Sequence, residues 1–499
     1  MAACNPVFPH ILRHHELAVA LVFEQRTWSY AELDDWAARA AGVAWHRWGV
    51  RSGDRVAWLG GNHPGLLALL FGLARIGATL LPLNFRLAAA EWDQQLADCT
   101  PRQLVHDATW SEAARSLAAR AGIPARGLEA LDEEAPPAPD HSAPGAAALL
   151  VYTSGTTGGP KAAVHTQANL LANMALAAQA QQLGPADTVL TVLPLFHVGG
   201  LNIQTTPALQ LGATVTIHAR FAPDTALATI AHDRPTLTVM VPAIIQAVSE
   251  HPAWTTTDLS SLKALATGST IVPPHLIDRF VARGVPVLQV YGSTETCPIA
   301  IYTRLGGDLS REGSTGLAGL CCEAQVIDQT GREVPAGTPG EIAVRGPNVF
   351  FEYWSNADAT HDALQDGWYR TGDIGLCDAD GYFWVRDRKK NLIISGGENV
   401  YPAEVERVLL EHPDVSECAV IGRPDSRWDE VPIAYVIPRS GCRLEADELR
   451  AHLQAQLARY KVPRDIVFVT DLPRTALGKV QHFLLKQLDA QSRARGEAS

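Results

Sequence analysis

The stretch at residues 153–161 constrains the fold of this chain more than any other feature. It reads T-S-G-T-T-G-G-P-K. Hydroxyl side chains and glycines make such a loop dense in donors, and glycine lets backbone N–H groups approach oxygens that a Cβ would keep away. An apolar run at 148–152 precedes the loop, and a helix-like stretch at 166–182 follows it. This order predicts a strand, a phosphate-binding loop and a helix.

The loop differs from that of P-loop NTPases, which require a hydroxyl residue directly after the lysine. Here Lys161 follows Pro160 and precedes Ala162, so the hydroxyl that would bind Mg²⁺ is missing. A phosphotransferase of that type is disfavoured, and it would release ADP rather than AMP. The composition also fits a polar surface turn, but the flanking strand and helix favour a different kind of nucleotide loop.

Length and charge limit the classes of protein to which the chain can belong. Its 499 residues, 47% of them hydrophobic, predict a globular protein with two or three domains. With 41 Lys and Arg against 53 Asp and Glu, the net charge is −12, which argues against a nucleic-acid partner and against attachment to anionic lipid. Small molecules are therefore the predicted partners.

Cysteine spacing and hydropathy bear on location. The eight cysteines form no C-x-x-C pair, which indicates reduced thiols in a cytoplasmic protein, and the N-terminus shows no export signal. The apolar stretch at 65–83 contains Arg75, Gly77 and Pro82. These residues predict a helix followed by a short strand, with no stable membrane insertion.

The pattern of predicted secondary structure changes at two points along the chain. Short β-like runs alternate with helix-like stretches over 54–289, which predicts mostly parallel sheets covered by helices. Close turn signals then predict a small β-rich subdomain at about 312–385. A charged run at 387–390 is the predicted boundary between a large domain, 1–389, and a small α+β domain, 390–499.

Four further segments accompany the loop in a fixed order. They are Y-G-S-T-E-T at 291–296, Y-R-T-G-D at 369–373, D-R-K-K-N-L-I-I-S-G-G-E-N-V-Y-P at 387–402 and L-P-R-T-A-L-G-K at 472–479. Together they cover most of the chain and resemble the acyl-CoA synthetases of the adenylate-forming superfamily, which includes luciferases and peptide-synthetase adenylation domains. The resemblance implies an α/β fold with a large multi-layered N-terminal domain and a small mobile C-terminal domain.

Two of these motifs also suggest a chemistry by themselves. Thr294 and Glu295 place a hydroxyl beside a carboxylate, which is the pair of hard oxygens that Mg²⁺ prefers. Asp373 can accept hydrogen bonds from both vicinal hydroxyls of a ribose. Taken alone, each motif is also compatible with a solvated turn, and this alternative is weaker for Thr294 and Glu295 than for Asp373.

The resemblance implies a role for each matching residue. The nucleotide-binding set is Thr153, Ser154, Gly155, Thr156, Thr157, Gly158, Lys161, Gly268, Ser269, Thr270, Tyr291, Gly292, Thr294, Asp373 and Arg388. The catalytic set is Lys479, Glu295, Thr153 and His197, with Glu295 and Thr153 also holding the metal. The acyl pocket comprises Phe196, His197, Val198, Gly199, Gly268 and Gly292. The coenzyme A channel comprises Ser395, Gly396, Gly397 and Glu398, and Lys390 is the interdomain hinge.

The implied reaction uses ATP, Mg²⁺ and coenzyme A in two steps. An oxygen of the substrate carboxylate attacks the α-phosphorus, pyrophosphate leaves, and an acyl-adenylate forms. Rotation of the small domain about Lys390 then moves Lys479 away and admits the thiol of coenzyme A, which displaces AMP. Positioning and charge stabilisation are the main sources of catalysis in the first step.

The sequence says less about the substrate and the acceptor. Residues 244–248 offer no cation near the expected acyl pocket, which argues against a dicarboxylate and favours a fatty or aryl monocarboxylate. Asn391 and Glu352 depart from the family's usual aspartate and glycine, without touching a catalytic position. An adenylation enzyme that serves a carrier-protein thiol, and a non-catalytic regulator that binds nucleotide or acyl-CoA, are the alternatives. A homodimer is compatible with the sequence.

Overall fold

The computed structural model describes residues 8–15, 17–153, 160–268, 272–395, 398–474 and 479–494. The chain divides into two compact units. The first unit comprises 1–324 and 344–369, and the second comprises 325–343 and 370–499. The domain limits predicted from the sequence, with the hinge at Lys390, stay a prediction.

The strands are numbered along the chain. They are β1 (Val19–Phe23), β2 (Arg26–Ser29), β3 (Arg55–Leu59), β4 (Thr79–Pro82), β5 (Gln103–His106), β6 (Ala125–Gly127), β7 (Ala147–Thr153), β8 (Lys161–Thr166), β9 (Thr188–Thr191), β10 (Thr214–Ile217), β11 (Leu237–Val239), β12 (Ala264–Gly268), β13 (Val287–Tyr291), β14 (Ile301–Tyr302), β15 (Leu317–Ala318), β16 (Glu323–Ile327), β17 (Gly340–Arg345), β18 (Glu352–Tyr353), β19 (Leu364–Gln365), β20 (Trp368–Cys377), β21 (Phe383–Arg388), β22 (Ile393–Ser395), β23 (Glu398–Val400), β24 (Val415–Asp425), β25 (Asp429–Pro438) and β26 (Asp465–Phe468).

The helices are numbered in the same way. They are α1 (Tyr30–His46), α2 (Pro64–Arg75), α3 (Ala89–Cys99), α4 (Ser111–Ala121), α5 (Gln167–Gln181), α6 (Val198–Gly200), α7 (Thr206–Leu211), α8 (Pro223–His232), α9 (Pro242–Ser249), α10 (Pro274–Val281), α11 (Ala357–Ala363), α12 (Pro402–Leu410), α13 (Ala446–Gln454) and α14 (His482–Ala494). A π-helical turn, Leu201–Thr205, joins α6 to α7.

Two mixed sheets organise the first unit. The nine-stranded sheet has the order β15-β14-β13-β12-β11-β9-β10-β1-β2, and its strands from β13 to β1 run parallel. The seven-stranded sheet has the order β18-β8-β7-β4-β3-β5-β6 and is parallel from β7 to β6. The predicted α/β class with mostly parallel sheets is confirmed.

The apolar stretch at 65–83 folds as the sequence predicts, into α2 followed by β4. Every residue of α2 is buried, so the helix belongs to the hydrophobic core of the first unit. Arg75, at its end, donates from Nη1 to the backbone oxygen of Asp34 at 3.2 Å and forms an ion pair with the Asp34 carboxylate. Among the described residues, no helix is long and apolar enough to cross a membrane.

The predicted order of strand, loop and helix around 153–161 is wrong in one respect. The loop is followed by strand β8, which pairs antiparallel with β7, and α5 begins only at Gln167. The helix starts there because Thr166 and Asn169 form a capping box, in which the Thr166 hydroxyl accepts from the Asn169 N–H at 3.2 Å. The loop therefore closes a hairpin.

A five-stranded sheet of short strands follows. Its order is β16-β17-β20-β19, and β21 pairs with β20. In the second unit, β24 and β25 pair over ten registers within a sheet of order β23-β22-β25-β24, to which β26 adds in parallel.

Alternate residues of β24 and β25 point to opposite faces of this sheet, as the period of a strand requires. Val420 and Val436 pack with α12 and α13, whereas Ile421 and Ile433 pack with Leu485 of α14. The small sheet is therefore covered by helices on both faces.

Cysteines in the described part of the chain are all free. Four are buried, and two are exposed: Cys321 in the first unit and Cys442 in the second.

Candidate active site

Several predicted residues lie at one edge of the nine-stranded sheet. Gly268 ends β12, Tyr291 ends the neighbouring parallel strand β13, and His197 follows β9 by six residues. Carboxyl ends of parallel strands meet at the same edge, and ligands of open α/β sheets bind outside it. The structure therefore brings the expected adenine and acyl residues to one edge of this sheet.

Gly268 and Gly292 are required by backbone packing. A Cβ on Gly268 would collide with the carbonyl oxygen of Val290 on the neighbouring strand. A Cβ on Gly292 would collide with the carbonyl oxygen of Pro298 and the hydroxyl of Thr296. Glycine is therefore needed at both positions whether or not a ligand is bound.

His197 is held by the start of the short helix α6. Its Nδ1 accepts a hydrogen bond from the Gly199 N–H at 3.0 Å, so a proton on the neutral ring is carried by Nε2. Phe196 is buried and meets Phe85 edge to face, with ring centroids 5.2 Å apart. Phe85 also packs on Trp110. An aromatic side chain thus packs on the residue before His197, and a second packs behind it.

The phosphate loop connects Thr153, the last residue of β7, to Lys161, the first residue of β8, and both are predicted site residues. Thr153 lies directly opposite Lys161, and its hydroxyl donates to the Lys161 carbonyl at 3.3 Å. The other predicted residues of this loop lie outside the described part of the chain, as do four more predicted residues. They are Ser154, Gly155, Thr156, Thr157, Gly158, Ser269, Thr270, Gly396 and Gly397.

Glu295 lies in a 3-10 turn, Thr294–Thr296, and its side chain is held from β18. The residue is 7% exposed, and its Oε1 accepts a hydrogen bond from the Tyr353 hydroxyl at 2.7 Å. The Phe350 N–H donates to the Glu295 carbonyl, also at 2.7 Å. Sequence analysis assigned no role to Tyr353, because nothing in local spacing relates it to residue 295.

The donor set at Glu295 fits magnesium. A buried carboxylate beside the hydroxyl of Thr294 supplies hard oxygens, and Mg²⁺ is commonly bound by one or two carboxylates plus phosphate oxygens and water. No group of three or more acidic, histidine or cysteine side chains that could hold a metal by itself occurs among the described residues. A magnesium ion at this site would therefore take its remaining ligands from the phosphate oxygens of a substrate and from water.

The second unit holds a cluster of charged residues around Asp373. Asp373 on β20 lies directly opposite Arg388 on β21, and the Arg388 Nε is 2.8 Å from Oδ1 of Asp373. Asp373 is 5% exposed. The charges of Lys390 and Lys479 also interact with Asp373. Three cations around one buried carboxylate favour the binding of an anion.

A further carboxylate, Glu341, holds the segment of β20 that carries Asp373. Its Oε2 accepts from Arg370 at 2.8 Å and from Lys389 at 3.0 Å, and its Oε1 accepts from the Gly372 N–H at 3.2 Å. Sequence analysis missed this residue as well. Gly372 has a φ of +69°, the left-handed region that favours glycine.

The surroundings of Lys479 perturb its pKa. Desolvation, followed by repulsion from Arg388, lowers its pKa from 10.5 to about 8, although Asp373 opposes the shift. Desolvation and repulsion from Arg388 thus favour the neutral amine of the lysine that the sequence predicts to be catalytic.

This shift has a direct consequence for activity at high pH. Lys479 is charged below its pKa, so kcat/KM for ATP in ATP–pyrophosphate exchange should fall as pH rises through about 8. Because arginine stays charged, Lys479→Arg should not show this fall in kcat/KM at alkaline pH, even if its rate is lower at every pH. If the arginine variant showed the same fall in kcat/KM at alkaline pH, a group other than Lys479 would be responsible for it.

The remaining predicted residues lie near the start of the small sheet. Ser395 is buried and pairs with Glu398 across the β22–β23 hairpin. Lys390 lies in a 3-10 turn, Lys389–Asn391. The departure Asn391 donates to Oδ1 of Asp387 at 3.3 Å, so the asparagine contributes a local contact.

A buried histidine and cysteine lie behind the phosphate hairpin. Nδ1 of His165 on β8 is 3.0 Å from the Sγ of Cys297, and both residues are fully buried. Burial lowers the pKa of His165 to about 3 and raises the pKa of the Cys297 thiol. Both side chains are therefore neutral at ordinary pH.

Comparison with known protein families gives two matches. A family model described as AMP-binding enzyme matches residues 8–354, and a model described as AMP-binding enzyme C-terminal domain matches residues 404–479. Together they span most of the chain.

Individual relatives cover nearly the whole chain. An indoleacetate–CoA ligase of Aromatoleum aromaticum is 46% identical over 486 residues, 95% of each chain. A feruloyl-CoA synthase of an Amycolatopsis species is 42% identical over 454 residues, 91% of this chain and 92% of the relative. The crystal structure of ATP-bound MatB from Rhodopseudomonas palustris, 30% identical, aligns over 97% of this chain and 98% of the other with a TM-score of 0.90.

Proposed function

This chain belongs to the AMP-binding enzyme family, and from that premise we propose that its acid substrate is an aromatic monocarboxylate. The chain is an ATP-dependent carboxylate–CoA ligase that uses ATP, Mg²⁺ and coenzyme A. The observation that carries the substrate class is the aromatic packing beside His197, where Phe196 meets Phe85 edge to face.

Three further facts support an aromatic acid. Phe85 packs on Trp110, and Trp110 meets Trp92 edge to face, so a row of aromatic side chains adjoins Phe196. Helix α9 carries no cation, and an isolated second carboxylate would be costly to bury. The indoleacetate and feruloyl ligases are also similar over more than nine-tenths of this chain.

We propose the following roles in adenylation. Thr153, Lys161 and the intervening loop bind the phosphates, and Tyr291 and Gly268 border the adenine. Asp373, with Arg388 beside it, accepts hydrogen bonds from the ribose hydroxyls. Glu295, with Thr294 and Thr153, would hold Mg²⁺, which when bound supplies positive charge to the phosphates.

The acid itself would be oriented by His197 and activated with the help of Lys479. An Nε2–H on His197 can donate to the substrate carboxylate, since Nδ1 already accepts from Gly199. Lys479 supplies positive charge as a carboxylate oxygen bonds to the α-phosphorus and pyrophosphate leaves. In the second step the thiol sulfur bonds to the acyl carbon, AMP leaves, and the thiol proton passes to solvent. Ser395 and Glu398 are proposed to border the path of the thiol, and Lys390 is the proposed hinge.

A substrate panel tests the proposed acid. We expect AMP and pyrophosphate release to be catalytic only with coenzyme A, with kcat/KM for indoleacetate or ferulate at least about tenfold above that for decanoate. Malonate should be a poor substrate. A preference for decanoate would overturn the aromatic assignment, and one burst of pyrophosphate that is independent of coenzyme A would point to a carrier-protein acceptor.

Location and assembly are part of the same proposal. We propose that the enzyme acts in the cytoplasm, and the free cysteines of the described chain support this. A homodimer is the proposed assembly, and light scattering at assay concentration would determine the molecular mass.

A further inference from the structure

One buried tyrosine connects the two sides of the proposed phosphate and metal site in the first unit. Its hydroxyl donates to Oε1 of Glu295 at 2.7 Å, and Nζ of Lys161 lies 5.4 Å from the centroid of its ring. Tyr353 is 8% exposed. It therefore contacts both a proposed metal ligand and a proposed phosphate ligand.

The backbone of Tyr353 is fixed by its neighbours. It lies on β18, which pairs antiparallel with β8 so that Tyr353 is opposite Ala163, two residues after Lys161. The Tyr353 N–H donates to the Thr360 hydroxyl at 2.9 Å, and the ring packs on Phe350 with centroids 4.7 Å apart. The side chain is therefore held both by the sheet and by an aromatic cluster.

Each contact suits a positioning role. A buried carboxylate is costly unless it is hydrogen-bonded, and a bond to one oxygen fixes the direction of the other. A cation within about 6 Å of an aromatic centroid is attracted to the ring face. One side chain thus stabilises both the charge of Glu295 and the placement of the Lys161 ammonium.

We propose that Tyr353 is a positioning residue for adenylation: its hydroxyl aims the Glu295 carboxylate at the metal, and its ring supports Lys161. The inference rests on the proposed metal role of Glu295 and deepens it. It is independent of which acid is activated, because both contacts concern only the nucleotide side of the reaction.

Tyr353→Phe removes the hydroxyl and keeps the ring. We expect the variant to bind ATP in EDTA as the wild type does, and to bind ATP with Mg²⁺ about tenfold more weakly, as measured by calorimetry. The matched control is Tyr30→Phe, since Tyr30 is also buried and its hydroxyl donates to the Ala213 carbonyl at 2.7 Å in a different part of the unit. The control should leave both affinities unchanged. Equal affinities of Tyr353→Phe and wild type for ATP with Mg²⁺ would overturn the proposal.

A double-mutant cycle separates positioning from a general loss of stability. Glu295→Gln still accepts a hydrogen bond but lacks the charge that binds the metal. Adding Tyr353→Phe to Glu295→Gln should therefore not weaken the binding of ATP with Mg²⁺ any further. Additive losses would mean that Tyr353 acts by another route, and this too would overturn the proposal. If Tyr353→Phe did not fold, Thr360→Ala would serve instead, because it removes the hydroxyl that accepts from the Tyr353 N–H and donates to the Asn356 carbonyl. It should weaken the Mg²⁺-dependent affinity, and an unchanged affinity would count against the role.

Lys161 gives a further readout. Tyr353→Leu removes the ring as well, so its affinity for ATP in EDTA should fall about threefold below that of Tyr353→Phe. Equal affinities of the two variants would overturn the support of Lys161. Absence of Mg²⁺-dependent ATP binding in the wild type would instead contradict the proposed function itself, so the two failures are distinguishable.

Discussion

Lys479→Ala is expected to slow ATP–pyrophosphate exchange about 1,000-fold while leaving thioester formation from supplied acyl-adenylate nearly unchanged. The ammonium would stabilise charge that develops at the α-phosphorus, a step that the second half-reaction does not contain. The electrostatics of the second unit fit this role, because Lys479 shares the surroundings of Asp373 with Arg388 and Lys390. Rapid-quench measurement of both half-reactions would compare them directly.

One variant, Lys486→Ala, serves as the control for this result. Lys486, on the terminal helix α14, lies 3.9 Å from Glu430, and Lys486→Ala removes an equal charge outside the Asp373 cluster. It should leave both half-reactions within about twofold, as expected for a surface substitution. A parallel loss in both half-reactions of Lys479→Ala would assign the lysine to binding or folding instead of adenylation.

The second large effect is expected for Asp373→Asn, which should lower kcat/KM for ATP about 100-fold. The amide can accept only through one oxygen and no longer balances the three nearby cations. Wild type should discriminate strongly against 3′-deoxy-ATP, whereas the variant should treat both nucleotides similarly. Loss of the carboxylate should also lower the pKa of Lys479 further, so the alkaline limb of the exchange reaction should move to lower pH.

The control for this result is Asp328→Asn in a surface turn, where the carboxylate accepts from the Thr330 and Arg332 N–H groups at 2.7 and 3.1 Å. Asparagine can make the same turn contacts, so activity should not change. If Asp373→Asn kept the wild-type preference for ATP over 3′-deoxy-ATP, the ribose assignment would be wrong.

The fold of the first unit was largely predictable because its strands are short apolar runs separated by helices. Strands β3, β9, β10, β11 and β13 all begin within 54–289, where the sequence predicts short β-like runs between helices. Strand β8 was not predicted, since K-A-A-V-H-T has two alanines and little alternation. It is a strand because β7 and β18 pair with it on both sides, which is tertiary information.

The candidate site was predictable only where a local motif identified it. The pairing of Asp373 with Arg388 follows once β20 and β21 are placed, since the motifs lie on adjacent strands. The contact of Tyr353 with Glu295 joins residues 58 positions apart, and Glu341 reaches Lys389 across 48. No spacing rule relates such pairs, because they meet through packing of separate elements.

The distribution of cysteines described above makes the chain suited to distance measurements. The buried thiol of Cys297, beside a neutral imidazole and with a raised pKa, is both shielded and unreactive. Cys321 and Cys442 are exposed, one on each unit. Their raised pKa values call for mildly alkaline coupling conditions. A donor and an acceptor dye on these two native thiols would report the separation of the units as ATP, acid and coenzyme A are added in turn.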